Sequence, residues 1–246
     1  MSGIAWTAWL SSVAGWAHDT PTPLVPMSTT LRIDLVSDIV CPWCAIGLAR
    51  LEQAVAGLPE IEIELHWHPF LLNPDIEAGG RDMTAHLSQK YGKSPEEVAA
   101  SQQQIVAAAE ACGLNFDRAL ARRSWNTLDT HRVLHYAREE GVDDAFNRAL
   151  FEAYFGRAEN PTDPQLLGRI GTELGLSGEM IADILAGDHY REDVQEEIAR
   201  FQQMGISAVP SFIVADTYLI SGAQPPDVLA DGLQRIAAEQ ASPTSA

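Results

Sequence analysis

The sequence predicts an α/β fold in which a large helical insertion divides one domain. Residues 31–75 contain apolar runs typical of strands on either side of one helix, and residues 205–240 contain two more such runs before a closing helix. Residues 76–204 instead repeat their apolar positions at helical spacing. We therefore expect the first and last segments to fold together and residues 76–204 to form an all-helical insertion between them.

The first segment predicts a strand, a helix and a strand in that order. Residues 31–36 alternate loosely and residues 61–68 alternate strictly between apolar and polar side chains, which is typical of strands. The strict alternation places His68 on the polar face of the second strand. The stretch 45–56 between the two strands is predicted to be a helix.

The insertion carries several helix-start signals. Ser94 and Glu97 match a capping box, with Pro95 at the first helical position, and Gly113 follows the apolar stripe of this helix. Further helices are expected to begin near residues 126, 143, 162, 177 and 188.

The last segment predicts a hairpin from strands at 211–214 and 218–220, followed by a helix at 226–240. The two ends of the sequence are expected to lie outside the fold. Residues 1–30 have no lysine or arginine, so they lack the positive region that opens a secretory signal. We expect them to be a disordered extension or the product of an overcalled translation start, and residues 241–246 to be a frayed tail.

The stretch Cys41-Pro42-Trp43-Cys44 is the strongest chemical signal in the sequence. A Cys-x-x-Cys pair between a predicted strand and a predicted helix is typical of thiol redox chemistry. Cys41 is expected at the N-cap and Pro42 at the first helical position, where the missing N–H of proline costs nothing. The free N–H groups and the positive dipole end of the helix then favour the thiolate of Cys41. We expect Cys41 to be the exposed, attacking sulfur and Cys44 to be the resolving sulfur.

Two other roles fit this cysteine pair less well. A zinc site needs two further ligands, but Cys112 stands alone on a predicted helix, and His66 and His68 occupy alternating positions of a strand. A purely structural disulfide would close a very short loop and add little stability. The sequence therefore predicts neither a metal nor an organic cofactor. Cys112 is expected to be a small buried hydrophobic residue, with a second redox role left open.

The charge balance limits the partners. The chain of 246 residues carries 16 lysines and arginines against 34 acidic residues, which gives a net charge of −18. Such an acidic chain disfavours binding to nucleic acid and to anionic membrane surfaces, and no apolar run reaches the length of a membrane span. Three cysteines do not make a disulfide framework, which favours a reducing, cytoplasmic location. A homodimer is left open.

Motifs in four parts of the sequence occur in the order found in one known family. They are Ser37-Asp-Ile-Val-Cys-Pro-Trp-Cys44 with Ile46-Gly47, Trp67-His-Pro-Phe-Leu-Leu-Asn-Pro74, Asn126-Thr127 with His131, and Ser221-Gly-Ala-Gln-Pro-Pro226. Together they resemble the DsbA-like thioredoxin superfamily, and within it the FrnE-like branch, over residues 31–238. The resemblance implies a thioredoxin-like fold with a helical insertion.

The resemblance also implies a substrate-binding loop beside the two sulfurs. Val209-Pro210 matches the cis-proline loop that packs against the Cys-x-x-Cys pair in this superfamily. In such proteins the backbone beside the proline can pair with an extended substrate, although a strand-start proline would look the same from the residues alone. Pro42 and Trp43, between the two cysteines, are expected to contact the same substrate.

Two further segments are assigned to the site by the resemblance. Asn126, Asp129 and His131 are expected to face the dithiol from the insertion. From the residues alone, Asn126 is a helix cap and His131 is a surface histidine. Gly222, Ala223 and Gln224 match a loop that binds the γ-glutamyl end of glutathione in relatives that use it. From the residues alone, this loop is a turn into the last helix.

These observations predict a thiol–disulfide oxidoreductase that oxidises, reduces or isomerises disulfides of proteins or of glutathione-like molecules. One alternative is a glutathione-dependent isomerase or transferase of the kappa class or of the 2-hydroxychromene-2-carboxylate isomerase type. Those proteins usually have serine where Cys41 stands and lack the second thiol. A second alternative is a non-catalytic chaperone or binding module that uses the insertion as a platform.

Overall fold

The structure, a computed structural model, describes residues 28–241. The predictions for residues 1–27 and 242–246, which cover most of the expected extension and tail, lie outside the described residues. No helix in 28–241 is long and apolar enough to cross a bilayer.

The described residues form six strands and nine helices. The strands are β1 Thr29–Ser37, β2 Ile61–Pro69, β3 Arg81–Asp82, β4 Arg123–Ser124, β5 Ser211–Val214 and β6 Tyr218–Ser221. The helices are α1 Pro42–Ala56, α2 Met83–Tyr91, α3 Pro95–Glu110, α4 Leu128–Glu139, α5 Asp143–Phe151, α6 Pro164–Glu173, α7 Gly178–Ala186, α8 Arg191–Gln203 and α9 Pro226–Ala241. A π-helical segment, Glu152–Gly156, continues α5.

The main sheet has the order β2-β1-β5-β6, in which β1 and β2 are parallel and the other neighbours are antiparallel. Leu35 of the central strand β1 pairs with Trp67 of β2 and with Phe212 of β5. Because the side chains of a strand alternate, neighbouring residues of β1 face opposite sides of the sheet. Leu35 belongs to the main core, where α1 packs against α9, and Val36 belongs to a smaller cluster with Phe201 of α8. Both faces of β1 are therefore covered.

The insertion is helical apart from one short ladder. In this ladder β3 pairs with β4, and Arg81 lies opposite Ser124. The sequence analysis did not predict α2, which begins after Asp82 and ends at Gly92 with a φ of 66°. The Asp82 carboxylate accepts a backbone N–H of the first turn, as an N-cap does. Only His86 of α2 is buried, so this helix lacks the apolar stripe that reveals a helix in a sequence.

Three of the predicted helix starts are confirmed by side-chain caps. Ser94 forms the capping box of α3, and Asp163 and Ser177 cap α6 and α7 through their side-chain oxygens. Helix α4 begins at Leu128, two residues later than expected, and its N-cap residue is Thr127. Asn126 lies just before the cap, and its Oδ1 accepts the Leu128 N–H at 3.1 Å.

The burial of His68 was not predicted from the sequence. The strict alternation of β2 placed His68 on a polar face, but α8 packs against this end of β2 and buries it. The buried ring lies between two carboxylates, with Nε2 2.6 Å from Asp34 Oδ1 and Nδ1 2.6 Å from Glu197 Oε1. Arg138 of α4 joins the same cluster through its Nη1, 2.9 Å from Glu197 Oε1. His68 therefore meets a polar, charge-paired surface of the insertion, while Glu62 and Glu64 at the other end of the same face are exposed.

Candidate active site

The two cysteines lie at the start of α1, as the sequence predicts. Cys41 is the N-cap residue with extended backbone, φ −88° and ψ 111°, and Pro42 opens the helix. The Cys44 N–H donates to the Cys41 carbonyl at 3.1 Å, which fixes the first turn between the two sulfurs. Both thiols are free in the structure. The helix N-terminus with its unpaired N–H groups thus begins at the Cys41 residue.

The predicted exposure of Cys41 is wrong in degree. Cys41 is only 4% exposed and Cys44 is fully buried, while Trp43 between them is 39% exposed. Cys41 is covered because its Sγ lies 3.7 Å from the Val209 carbonyl, to which the thiol donates, but it still lines an open cleft. Burial, and after it the neighbouring Cys41 sulfur, raises the pKa of the Cys44 thiol well above its ordinary value. Cys44 is therefore held as a neutral thiol behind Cys41.

The Val209–Pro210 loop packs directly on α1. The Val209–Pro210 peptide bond is cis, which confirms the expectation from the resemblance. Gly47 of α1 permits this contact, because a Cβ at Gly47 would lie 2.9 Å from Pro210 Cγ and 3.3 Å from Phe212 Cζ. The Gly47 position therefore sets how closely the loop approaches the dithiol helix.

The loop Gly222-Ala223-Gln224 lies beside the proline loop. The Gly222 N–H donates to the Pro210 carbonyl at 2.8 Å, and Arg50 of α1 donates to the Ala223 carbonyl at 2.6 Å. The Gln224 side chain turns back to the Ser221 carbonyl at 2.7 Å. The described lining of the cleft at Cys41 contains no residue of this loop. The loop therefore connects α1 to the proline loop without lining the cleft.

Asp38 is a buried carboxylate close to the dithiol whose role the sequence analysis missed. It is fully buried, and its oxygens accept the Thr127 hydroxyl and the Leu72 N–H, each at 2.8 Å. His131 lies beside it, also buried, with Nε2 3.7 Å from Asp38 Oδ1 and 3.1 Å from the Phe70 carbonyl. Asp38 therefore joins the turn before Cys41 to the insertion. The sequence signal that could have identified Asp38 is its position three residues before the first cysteine.

Asn126 is placed differently from His131. Its side-chain amide donates to the Pro74 carbonyl at 2.8 Å, and its Oδ1 accepts the Leu128 N–H at the start of α4. These bonds hold the start of α4 against the loop after β2. In the described residues, neither bond reaches the dithiol.

A cleft of about 690 Å³ opens at Cys41. The turn with Cys41 and Trp43 and the loop at 207–209 form one side, and α2 and α3 of the insertion form the other. Sequence reasoning missed the polar residues of its lining, because α2 was not predicted and because the others come from turns and helix interiors. Among these residues are Lys90, Lys93, Arg122 and Tyr154.

No metal site accompanies the cysteines in the part of the chain that the structure describes. Residues 28–241 contain no group of three His, Cys, Asp or Glu side chains arranged to hold a metal ion. The zinc alternative therefore finds no further ligands there, because a structural zinc site needs four.

A dithiol at a helix start, opposed by a cis-proline loop on a mixed sheet, defines a thioredoxin-like fold. The family model for the DSBA-like thioredoxin domain matches residues 32–234. The chain belongs to this family. A curated relative, the uncharacterized protein YwbO of Bacillus subtilis, is 30% identical over 201 residues, which cover 81% of this chain and 94% of the relative.

Solved structures agree with the family assignment. The crystal structure of the probable DsbA oxidoreductase SCO1869 from Streptomyces coelicolor is 31% identical, with a TM-score of 0.80, and covers 88% of this chain and 93% of that one. The cytosolic disulfide reductase DsbM from Pseudomonas aeruginosa with GSH is 18% identical, with a TM-score of 0.55, over 84% of this chain and 99% of that one. At that identity the second likeness concerns the fold alone.

Proposed function

We propose that the protein is a thiol–disulfide oxidoreductase in which Cys41 reacts with the substrate and Cys44 resolves the mixed disulfide. The observation that carries this proposal is the position of the pair. Cys41 caps α1 and lines the cleft, while Cys44 is buried one turn behind it with a raised pKa. Family membership and the likeness to a probable DsbA oxidoreductase at 31% identity support the same class. The FrnE-like branch and a cytoplasmic location remain proposals, the latter favoured by the three free thiols.

In the reducing direction, the Cys41 thiolate attacks one sulfur of a substrate disulfide. The substrate S–S bond breaks, one substrate thiolate leaves, and Cys41 forms a mixed disulfide with the other half. Cys44 then loses its proton and attacks Cys41 Sγ, which releases the second substrate thiolate. The substrate has gained two electrons, and the protein has lost two electrons in forming the Cys41–Cys44 disulfide. In the oxidising direction the same steps run in reverse.

Docking of the substrate involves the groups next to Cys41. The half-exposed ring of Trp43 offers an apolar contact, and the backbone at Val209 offers a hydrogen-bonding edge for an extended chain. Pro42 opens the helix, where its missing N–H costs nothing, and it lines the cleft next to Cys41. We assign His131 a positioning role through Asp38 and Asn126 a role in anchoring α4.

Insulin reduction with dithiothreitol tests the proposal. The wild-type protein should accelerate it, and Cys41→Ser and Cys44→Ser should each reduce turnover to near background. A protein that turned over neither insulin nor a small disulfide would be a binding module. The glutathione-dependent isomerase alternative makes a different prediction for Cys44→Ala. That variant would retain full turnover of 2-hydroxychromene-2-carboxylate with glutathione, because the isomerase needs one reactive group, and this result would overturn the dithiol proposal.

A further inference from the structure

The cleft at Cys41 is basic, although the chain has a net charge of −18. Its lining within residues 28–241 includes Lys90, Lys93 and Arg122 and contains no aspartate or glutamate. Lys90 and Lys93 are the two lysines of the whole sequence. The chain therefore places both its lysines, and none of the acidic residues that the structure describes, on the wall next to the reactive cysteine.

Arg122 is a buried cation held by neutral groups. It is 4% exposed, and its guanidinium donates to the Ala119 carbonyl and, at 2.8 Å, to the Gln102 side-chain oxygen. Its Nε is buried and has no hydrogen-bond partner among the described residues. The guanidinium carbon lies 5.1 Å from the Phe155 ring centre and 5.7 Å from that of Tyr154. No carboxylate among the described residues pairs with Arg122, and the groups that act to raise its pKa are Tyr154 and the Cys41 sulfur. An incoming carboxylate in the cleft would add a counter-ion to this buried charge, which is costly to bury unpaired.

The two lysines are also bound to neutral acceptors. Lys90 Nζ donates to the Leu72 carbonyl at 2.7 Å and to Asn73 Oδ1 at 3.2 Å, and Lys93 Nζ donates to Ser101 Oγ at 3.3 Å. Eight arginines elsewhere in the described fold pair with carboxylates, as in the pair of Arg138 with Glu197 at 2.9 Å. The charges of the cleft are thus left available to a ligand.

The size of the cleft favours a small molecule over a protein segment. A volume of about 690 Å³ lies within the roughly 300–1,000 Å³ typical of small-molecule pockets. The lining is mostly apolar, with Phe70 and Ile105 on its walls and the aromatic rings of Trp43 and Tyr91 at exposed positions. A small number of charged groups in an otherwise apolar cleft can hold a ligand in a defined orientation.

We propose that this cleft binds a low-molecular-weight disulfide or thiol that carries carboxylate groups. Lys90, Lys93 and Arg122 hold the carboxylates while Cys41 reacts at the sulfur. The proposal rests on the oxidoreductase function above and names its substrate class. Each turnover of a disulfide RSSR forms the Cys41–Cys44 disulfide and two RS⁻, which take up the two protons that the protein thiols release.

Three small disulfides that differ in charge test the proposal. The reduced protein is mixed with 3,3′-dithiodipropionate, bis(2-hydroxyethyl) disulfide or cystamine, which carry two negative charges, none and two positive charges. The rate of Cys41–Cys44 oxidation is divided by the rate at which dithiothreitol reacts with the same disulfide. We expect this normalised rate to be highest for the dianion, lower for the neutral disulfide and lowest for the dication. The double variant Lys90→Gln/Lys93→Gln should lower the ratio of the dianion rate to the neutral rate about fivefold. This is the size of effect expected when two exposed charges are removed.

A matched control separates local charge from net charge. Arg157→Gln/Arg169→Gln removes the same charge from a cluster around Glu159 that does not line the cleft. This control variant should keep the wild-type ratio of dianion to neutral rates. Arg122→Gln should lower the ratio, whereas Arg122→Lys, which retains the charge, should not. The lysine variants decide the test if Arg122→Gln does not fold, because their side chains lie at the exposed edge.

The outcomes separate this proposal from the one on which it rests. Equal normalised rates for the three disulfides, or an equal loss in the control variant, would overturn the substrate class alone. Failure of all three to oxidise the Cys41–Cys44 pair would overturn the oxidoreductase function and the substrate class with it.

Discussion

The pairing of Glu197 with His68 and Arg138 predicts a specific loss of stability in acid. These contacts join α8 to β2 and α4, and α8 leads into the loop that faces Cys41. Burial acts to raise the pKa of Glu197, but the hydrogen bonds from His68 and Arg138 outweigh it and lower the pKa to about 2 from 4.5. Because the carboxylate is more acidic in the folded chain, it stabilises the fold above about pH 4.5. This contribution is lost as the pH falls through about 2.

The size of the effect follows from the two pKa values. The two pKa values differ by about 2.5, and each pKa unit corresponds to about 1.4 kcal/mol. The ionised Glu197 therefore contributes on the order of 3 kcal/mol to the free energy of unfolding at pH 7. Of this, about 2 kcal/mol should be gone at pH 3. Glu197→Gln keeps the shape of the side chain and removes the charge. The difference in free energy of unfolding between the wild type and this variant should therefore shrink by about 2 kcal/mol from pH 7 to pH 3.

Urea unfolding at pH 7, 5, 4 and 3 measures this difference. Glu196→Gln is the matched control, since Glu196 is exposed one residue earlier in α8. It should change the pH dependence little. A difference between wild type and Glu197→Gln that stays constant with pH would refute the assignment of the charge cluster.

Two further predictions concern the dithiol helix. Gly47→Ala places a methyl group 2.9 Å from the Pro210 ring and should lower the free energy of unfolding by about 1–2 kcal/mol in urea titrations. Gly168→Ala, which meets nothing within 4 Å, should raise it by about 0.5–1 kcal/mol, and equal effects would contradict the packing of α1 on the proline loop. In alkylation of the reduced protein at pH 7, peptide mass spectrometry should find Cys41 modified before Cys44, because burial raises the pKa of the Cys44 thiol. Earlier modification of Cys44 would reverse the assigned roles.

Local signals predicted the centre of the site. The Cys-x-x-Cys pair after an apolar strand placed Cys41 at the N-cap and Pro42 at the first helical position, and the structure has both there. Helix caps such as Ser94 were equally readable, because a cap is decided within four residues of sequence. The identity of the proline loop required the family resemblance, since the residues around Val209 alone do not distinguish a cis bond from an ordinary strand start.

Contacts between distant segments could not be predicted. The alternation placed His68 on the polar face of its strand, but the strand period does not reveal that α8, more than 120 residues later in the chain, covers it. The cleft was missed for the same reason. Its basic residues come from α2, from the segment between α2 and α3 and from the turn at Arg122, and only the folded insertion brings them to Cys41. The burial of Cys41 under the Val209 carbonyl also depends on such a contact.

The central claim is that Cys41 forms the mixed disulfide and Cys44 resolves it. Reduced Cys44→Ser is incubated with glutathione disulfide, and the adduct is located by peptide mass mapping. The protein should carry glutathione on Cys41 in a lasting adduct, whereas the wild type should release it and form the Cys41–Cys44 disulfide. An adduct on Cys112 with Cys41 unmodified, or a wild type that keeps its adduct as long as the variant does, would contradict the claim.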